Sequence, residues 1–117
     1  MCRIVEQETA EIYNTLYRLG ITAKYRGFFH ASYAIALAKK QPDRLLMVTK
    51  WLYPEVAKRF ETNWSCVERN IRTVAELAWK NNREYLENMA HMPLNKKPTP
   101  SQFLGILVAY ISSDNAA

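Results

Sequence analysis

The sequence predicts an all-α protein, a compact bundle of about six helices containing a helix-turn-helix. Three observations carry that reading. Apolar residues recur at three- and four-residue spacing in one segment after another. No alternating apolar and polar stretch is long enough for a strand, and three Gly and five Pro in 117 residues are too few for the many tight turns of an all-β fold. The length suits one domain with its own core and is short for two, so residues 1–117 are read as a single helical domain without repeats or a low-complexity linker.

The elements follow in order. Ile12, Leu16 and Leu19, flanked by Tyr13 and Tyr17, share one helical stripe, and Gly20 stands where a helix ends in a left-handed residue. Ile21 to Gly27 reads as a connection. A second helix, Phe28 to Lys40, places Phe28, Ala31, Ile35 and Ala38 on one face and closes on Lys39 and Lys40, whose charges suit the negative end of the helix dipole. Pro42-Asp43 begins a short helix through Leu45, Leu46 and Val48 toward Trp51. Pro54 would cost a hydrogen bond inside a helix but none in a first turn, so it marks a new helix, Pro54 to Phe60.

Glu61-Thr62-Asn63 makes a turn in which Thr62 and Asn63 are good caps, and the next helix is expected to start between Thr62 and Ser65 and to run to about Lys80. Val67, Ile71, Val74, Ala75 and Ala78 form its inner stripe. At about 100° per residue, Ser65, Arg69, Arg72, Thr73 and Glu76 fall on the opposite side. A short helix over Glu84 to Ala90 follows, then a loop from Met92 to Pro100. A last helix, capped by Thr99 or Ser101, carries Phe103, Leu104, Leu107, Val108 and Ile111.

Composition excludes several classes of function. The longest apolar run, Phe103 to Ile111, is well short of the roughly 20 residues a membrane span needs. The N-terminus, with Glu6, Glu8 and Glu11, lacks the apolar core of a secretory signal, so a cytosolic protein without a membrane partner is expected. Cys2 and Cys66 are too few for a disulfide framework and are read as reduced; with only His30 and His91 beside them there is no zinc-ligand spacing, and no metal or other cofactor is expected. Both histidines read as ordinary surface or half-buried residues. Glu84 and Glu87 lie one turn apart but near no histidine, and there is neither a nucleophile pattern nor a glycine-rich phosphate loop, so no enzyme is expected.

The net charge of +5 at pH 7 is unevenly placed. Residues 21–60 hold all of the excess, in Lys24, Arg26, Lys39, Lys40, Arg44, Lys50, Lys58 and Arg59 against Asp43 and Glu55. An anionic partner would be steered toward that stretch. It ends where a short helix, a tight turn and a second helix with arginines on its outer face form a helix-turn-helix, about residues 54–80, a device that lays its second helix in the major groove of double-stranded DNA. The residue types fit: Ala57 is small where the helices cross, Val56 and Phe60 anchor the first helix, and Val67 and Ile71 bury the second.

Arg69 is the leading candidate for a two-pronged contact to guanine, and Arg72 for a base or a phosphate, a salt bridge from Arg72 to Glu68 being the alternative. Ser65, Cys66, Asn70 and Thr73 surround the arginines, and Asn63 and Trp64 precede them. Trp64 is read as a staple packed on the preceding helix, the alternative being an exposed aromatic against the DNA sugars. Lys50, Lys58 and Arg59 are natural phosphate partners, and Lys96-Lys97 in the loop is read as a solvated pair, the alternative being further phosphate contacts. A helical hairpin of this kind also occurs as pure structure, and Glu61 stands in the turn where glycine is frequent.

At Thr49-Lys50-x-Leu52-Tyr53-Pro54-x-Val56-Ala57-Lys58-Arg59-Phe60, then Ser65-x-Val67-Glu68-Arg69-x-Ile71-Arg72, Glu76-x-Ala78-Trp79 and Pro98-Thr99-x-Ser101-x-Phe103, the chain resembles the C-terminal effector domain of the sporulation-initiation response regulators of endospore-forming bacteria. Gly20, Ala23, Gly27, Ala34 and Ile35 match upstream, so the likeness covers roughly residues 10 to 112. The resemblance implies about six helices, sequence-specific DNA binding through the second helix of the motif, two copies in tandem on repeated sites, and a contact to the RNA polymerase sigma subunit from the stretch after Trp79. Pattern and resemblance together make Ser65, Cys66, Glu68, Arg69, Arg72 and Thr73 the candidates for base contact, and Lys50, Lys58, Arg59, Asn63 and Trp64 those for the DNA backbone.

The departures are specific. Cys66 stands where the family has an arginine, Trp64 and Asn70 where it has alanine, and Thr73 where it has histidine. Losing an arginine that reads a guanine removes about 1–3 kcal/mol of discrimination and alters the preferred site. The stretch after Trp79 also differs. The family carries a phosphorylatable receiver domain ahead of this one; only about ten residues precede the likeness here, so no receiver and no phosphorylation control through one are expected in this chain. The competing reading is a protein-interaction module that kept the scaffold and lost operator recognition, such as an antagonist that pairs with a full-length regulator.

Overall fold

Several helices in this protein end at a left-handed residue, Gly20, Glu61 or His91, where the backbone reclaims its last carbonyls. The computed structural model describes residues 3–116, and side chains over 9–113, which leaves Cys2 outside the described residues. Its elements are α1 (Arg3–Arg18), α2 (Arg26–Lys40), a 3₁₀ turn (Pro42–Met47), α3 (Val48–Trp51), α4 (Tyr53–Arg59), α5 (Trp64–Ala90) and α6 (Pro100–Ala116). After α1, Gly20 takes φ +84°, its N–H donates to the Tyr17 carbonyl at 2.9 Å, and the Ile21 N–H donates to that of Leu16 at 3.0 Å. This crossed pair of bonds is the Schellman closure. His91 closes α5 in the same way at φ 59°.

The α6 start is a capping box. The Gln102 N–H donates to the Thr99 hydroxyl at 3.2 Å, and the Thr99 N–H donates to the Gln102 side-chain oxygen at 3.0 Å. Thr99, rather than Ser101, is the cap.

The structure departs from the sequence reading in two places. α2 begins at Arg26, before the expected Phe28, because extended Tyr25 starts it with no side-chain cap to mark the spot. The segment after Pro42 is a 3₁₀ turn followed by a four-residue α-helix, not one short helix. The expected helices to about Lys80 and from Glu84 are there: they run on from one another within α5, Trp64–Ala90, and are divided at Asn82, whose backbone (φ −154°, ψ 64°) is not helical. Asn82 Nδ2 donates to the Arg18 carbonyl at 2.9 Å and its Oδ1 accepts the Tyr85 N–H at 3.3 Å, while Asn81 Nδ2 donates to the Gly20 carbonyl at 3.1 Å. The kink thus supplies donors to the end of α1 and caps its own second half.

α2 is the central helix, packed against α1, α4, α5 and α6. The approach to α5 is close at Gly27, where a Cβ would overlap the Asn70 carbonyl oxygen and meet Val74 Cγ2 at 2.5 Å. Phe28, Ile35, Leu52, Tyr53, Val67, Ile71, Leu104 and Leu107 are completely buried in one continuous core. The Cα radius of gyration, 13.1 Å, is that of a tightly packed domain of this length. α4 and the first half of α5 pack on one side of this core, which leaves the outer face of α5 open.

Candidate nucleic-acid interface

Glu61 makes the turn between α4 and α5. It adopts φ 54° without being glycine. The Thr62 N–H donates to the Ala57 carbonyl at 2.9 Å and the Glu61 N–H to that of Lys58 at 3.4 Å, so α4 also ends in a Schellman closure. Asn63, in extended backbone, is the N-cap of α5; its Oδ1 accepts the Cys66 N–H at 2.9 Å and the Ser65 hydroxyl at 2.7 Å. The angle between the helices is therefore held by backbone closure on one side and a side-chain cap on the other.

α5 is amphipathic as its spacing predicts. Val67, Ile71, Val74 and Ala78 are fully buried and Ala75 nearly so, while Ser65, Arg69, Arg72, Thr73 and Glu76 are exposed. Among the described residues Arg69 makes no ion pair. Arg72 does: its Nη2 lies 3.8 Å from Glu68 Oε1. At that distance and exposure the pair contributes under about 1 kcal/mol, so Arg72 is easily released to another anion. The Thr73 hydroxyl donates back to the Arg69 carbonyl at 3.2 Å, and the Cys66 thiol accepts from Asn70 Nδ2 at 3.7 Å.

Trp64 corrects one expectation. With Asn63 as cap, the staple positions are Thr62 and Val67, and Trp64 becomes the first helical residue, 46% exposed. It is not among the hydrophobic residues packed against the core. Lys58 and Arg59 lie in the last turn of α4 and Lys50 in that of α3, all exposed. The Arg59 guanidinium stacks near the rings of Phe60 (5.6 Å) and Tyr33 (5.9 Å), which steadies its stem while leaving its charge at the surface.

Three residues behind or beside this face escaped the sequence reading. His30 on α2, expected at the surface or half-buried, is 5% exposed and its Nδ1 lies 3.2 Å from Asn70 Nδ2. Burial, with a smaller contribution from the Arg26 charge, lowers its pKa below the ordinary 6.5. Tyr53, at the start of α4, is fully buried and its hydroxyl is pushed up to about 12, by burial first and by Glu68 second, against an opposing pull from Arg72. Lys97 is not half of a solvated pair: its Nζ meets Glu76 Oε2 at 2.7 Å and ties the loop before α6 to the outer face of α5. No local spacing signals any of these, since each partner is supplied by another element.

Residues 12–111 match the family model described as Sporulation initiation factor Spo0A C terminal. The chain belongs to this family. Its members are DNA-binding regulatory domains of sporulation initiation rather than enzymes. The match covers all of α2 to α5, the second half of α1 from residue 12 and most of α6, so the α4–α5 pair lies wholly within it. No helix among the described residues is long and apolar enough to cross a membrane.

Proposed function

We propose that this chain is a cytosolic, sequence-specific transcriptional regulator that lays the outer face of α5 in the major groove of double-stranded DNA. The observation that carries this reading is the exposure of Arg69 and Arg72 on a helix whose opposite stripe is fully buried. Arg69, with no ion pair of its own, takes a guanine edge, and Arg72 leaves its loose contact with Glu68 for a base or phosphate. Ser65, Cys66, Glu68 and Thr73 border the same groove. Lys50, Lys58 and Arg59, with Trp64 and Asn63 at the start of α5, hold the backbone. Following the family resemblance, two copies sit in tandem on repeated sites, and the segment after Trp79 meets the polymerase sigma subunit.

The test is selection of bound duplexes from a random pool, followed by fluorescence anisotropy on the recovered site. A recovered consensus and an affinity that falls steeply with salt are expected, with a slope reduced by about 0.9 for each phosphate-contacting cation removed. Arg69→Ala should cost about 1–3 kcal/mol on the consensus and little on scrambled DNA. A pool that returns no consensus, together with salt-insensitive binding, would instead favour an interaction module that has lost operator reading.

A further inference from the structure

A cleft of about 730 Å³ is lined by the end of α2, the 3₁₀ turn, α3 and the start of α4. That is room for a small molecule. Lys40, Arg44 and Lys50 line it together with Trp51, which is 40% exposed, and among the described residues none of the three cations makes an ion pair. Arg44 is nonetheless held in place: its Nε donates to Gln41 Oε1 at 2.8 Å and its Nη1 to the Trp51 carbonyl at 2.5 Å. Both acceptors are neutral. The guanidinium is thus fixed with its charge uncompensated, so a forked contact to a phosphate would cost little further ordering. Asp43 and Glu55 line the same cleft, also without an ion pair among the described residues.

We infer that this cleft binds a nucleoside phosphate, with the phosphate on Arg44, Lys40 and Lys50, the base stacked on Trp51, and sugar hydroxyls or base amino groups donating to Asp43 and Glu55. Three kinds of group in one cleft select this ligand over the two simpler anions. Inorganic phosphate would engage the cations alone and leave the indole and the carboxylates unused. A duplex keeps its bases stacked inside, so its backbone offers Trp51 no ring, and the two carboxylates repel it. A nucleotide satisfies all three kinds. The site is separate from the outer face of α5 and stands whether or not that face reads DNA.

The experiment titrates the whole chain with the 5′-diphosphates of adenosine, guanosine, cytidine and uridine, and in parallel with the free nucleosides and inorganic pyrophosphate. The readouts are calorimetry and the NMR signal of the Trp51 indole N–H, identified by its loss in Trp51→Leu. At least one nucleotide should move that signal saturably, and its nucleoside and pyrophosphate should each bind about tenfold more weakly or worse. Trp51→Leu should weaken the nucleotide about tenfold by removing the stacking face, and Arg44→Gln by at least as much. Because Arg44→Gln also removes two hydrogen bonds, Lys40→Gln, which removes neither, should weaken the nucleotide in the same direction at an unchanged melting temperature. Failure of all four nucleotides to move the Trp51 signal overturns the inference. So does pyrophosphate that binds as tightly as the best nucleotide, which would leave only an anion patch. An Arg44→Gln protein whose salt slope on a scrambled duplex falls by about 0.9 overturns it too, since the cleft would then be one more backbone contact.

Discussion

Asn70 Nδ2 lies 3.2 Å from Nδ1 of His30, so a residue in the N-terminal half of α5 is bonded to the central helix forty positions earlier. The amide nitrogen can only donate, so Nδ1 accepts, and that requires a neutral ring.

The His30 contact makes stability depend on pH. Its folded-state pKa is lowered below 6.5, so below that value the unfolded chain takes up a proton that the folded chain resists. The stability associated with the neutral ring is fully present above pH 6.5 and is lost as the pH falls through the folded value. Thermal melts between pH 8 and pH 5 should show the midpoint dropping below about 6.5, and His30→Gln should flatten that part of the curve. An unchanged curve in the variant would remove His30 from the account.

Gly27→Ala should be among the most damaging small substitutions. The added Cβ meets the Asn70 carbonyl oxygen and Val74 Cγ2, and a helix backbone cannot give way as a side-chain tip can. Overpacking of this kind costs roughly 1–3 kcal/mol, readable as a lower urea midpoint. Because the displaced helix is α5, DNA affinity should fall with it.

Glu61→Gly should act in the opposite direction. Glu61 holds φ 54° at the end of α4, a conformation costing an ordinary residue about 1–2 kcal/mol and glycine almost nothing, although glycine gives back part of that in chain entropy. A net gain of up to about 1 kcal/mol is expected in urea unfolding with unchanged slope. A loss would mean that the Glu61 side chain has a role of its own.

Cys66→Arg should change which site is preferred. The thiol sits in the first turn of α5 beside Asn70, where the resemblance implies an arginine. An arginine there that reaches a guanine is expected to add about 1–3 kcal/mol of discrimination at one position. Repeating the selection with the variant should give a consensus that differs from wild type at that position and agrees elsewhere.

Much of the fold was legible because its causes are local. The inner stripe of α5 was readable from helical spacing, and Gly20, Asn63 and Thr99 from the chemistry of helix ends, since a cap acts within about five residues of its own position. The exposure of Arg69 and Arg72 followed from the same period, once Val67 and Ile71 faced inward. Trp64 was misplaced because moving the cap by one residue turns a staple into a first helical residue, and an aromatic side chain is compatible with both.

The sequence by itself determined which segments are helical, where most of them stop, and which face of each is apolar. The tertiary structure decided which helices meet and how closely. Asn82 reaching the end of α1, Lys97 reaching Glu76, Asn70 meeting His30 and the isolation of the Tyr53 hydroxyl all depend on distances between separate helices. Those distances are set by how the whole core packs, for which periodicity along one helix supplies an orientation but no neighbour.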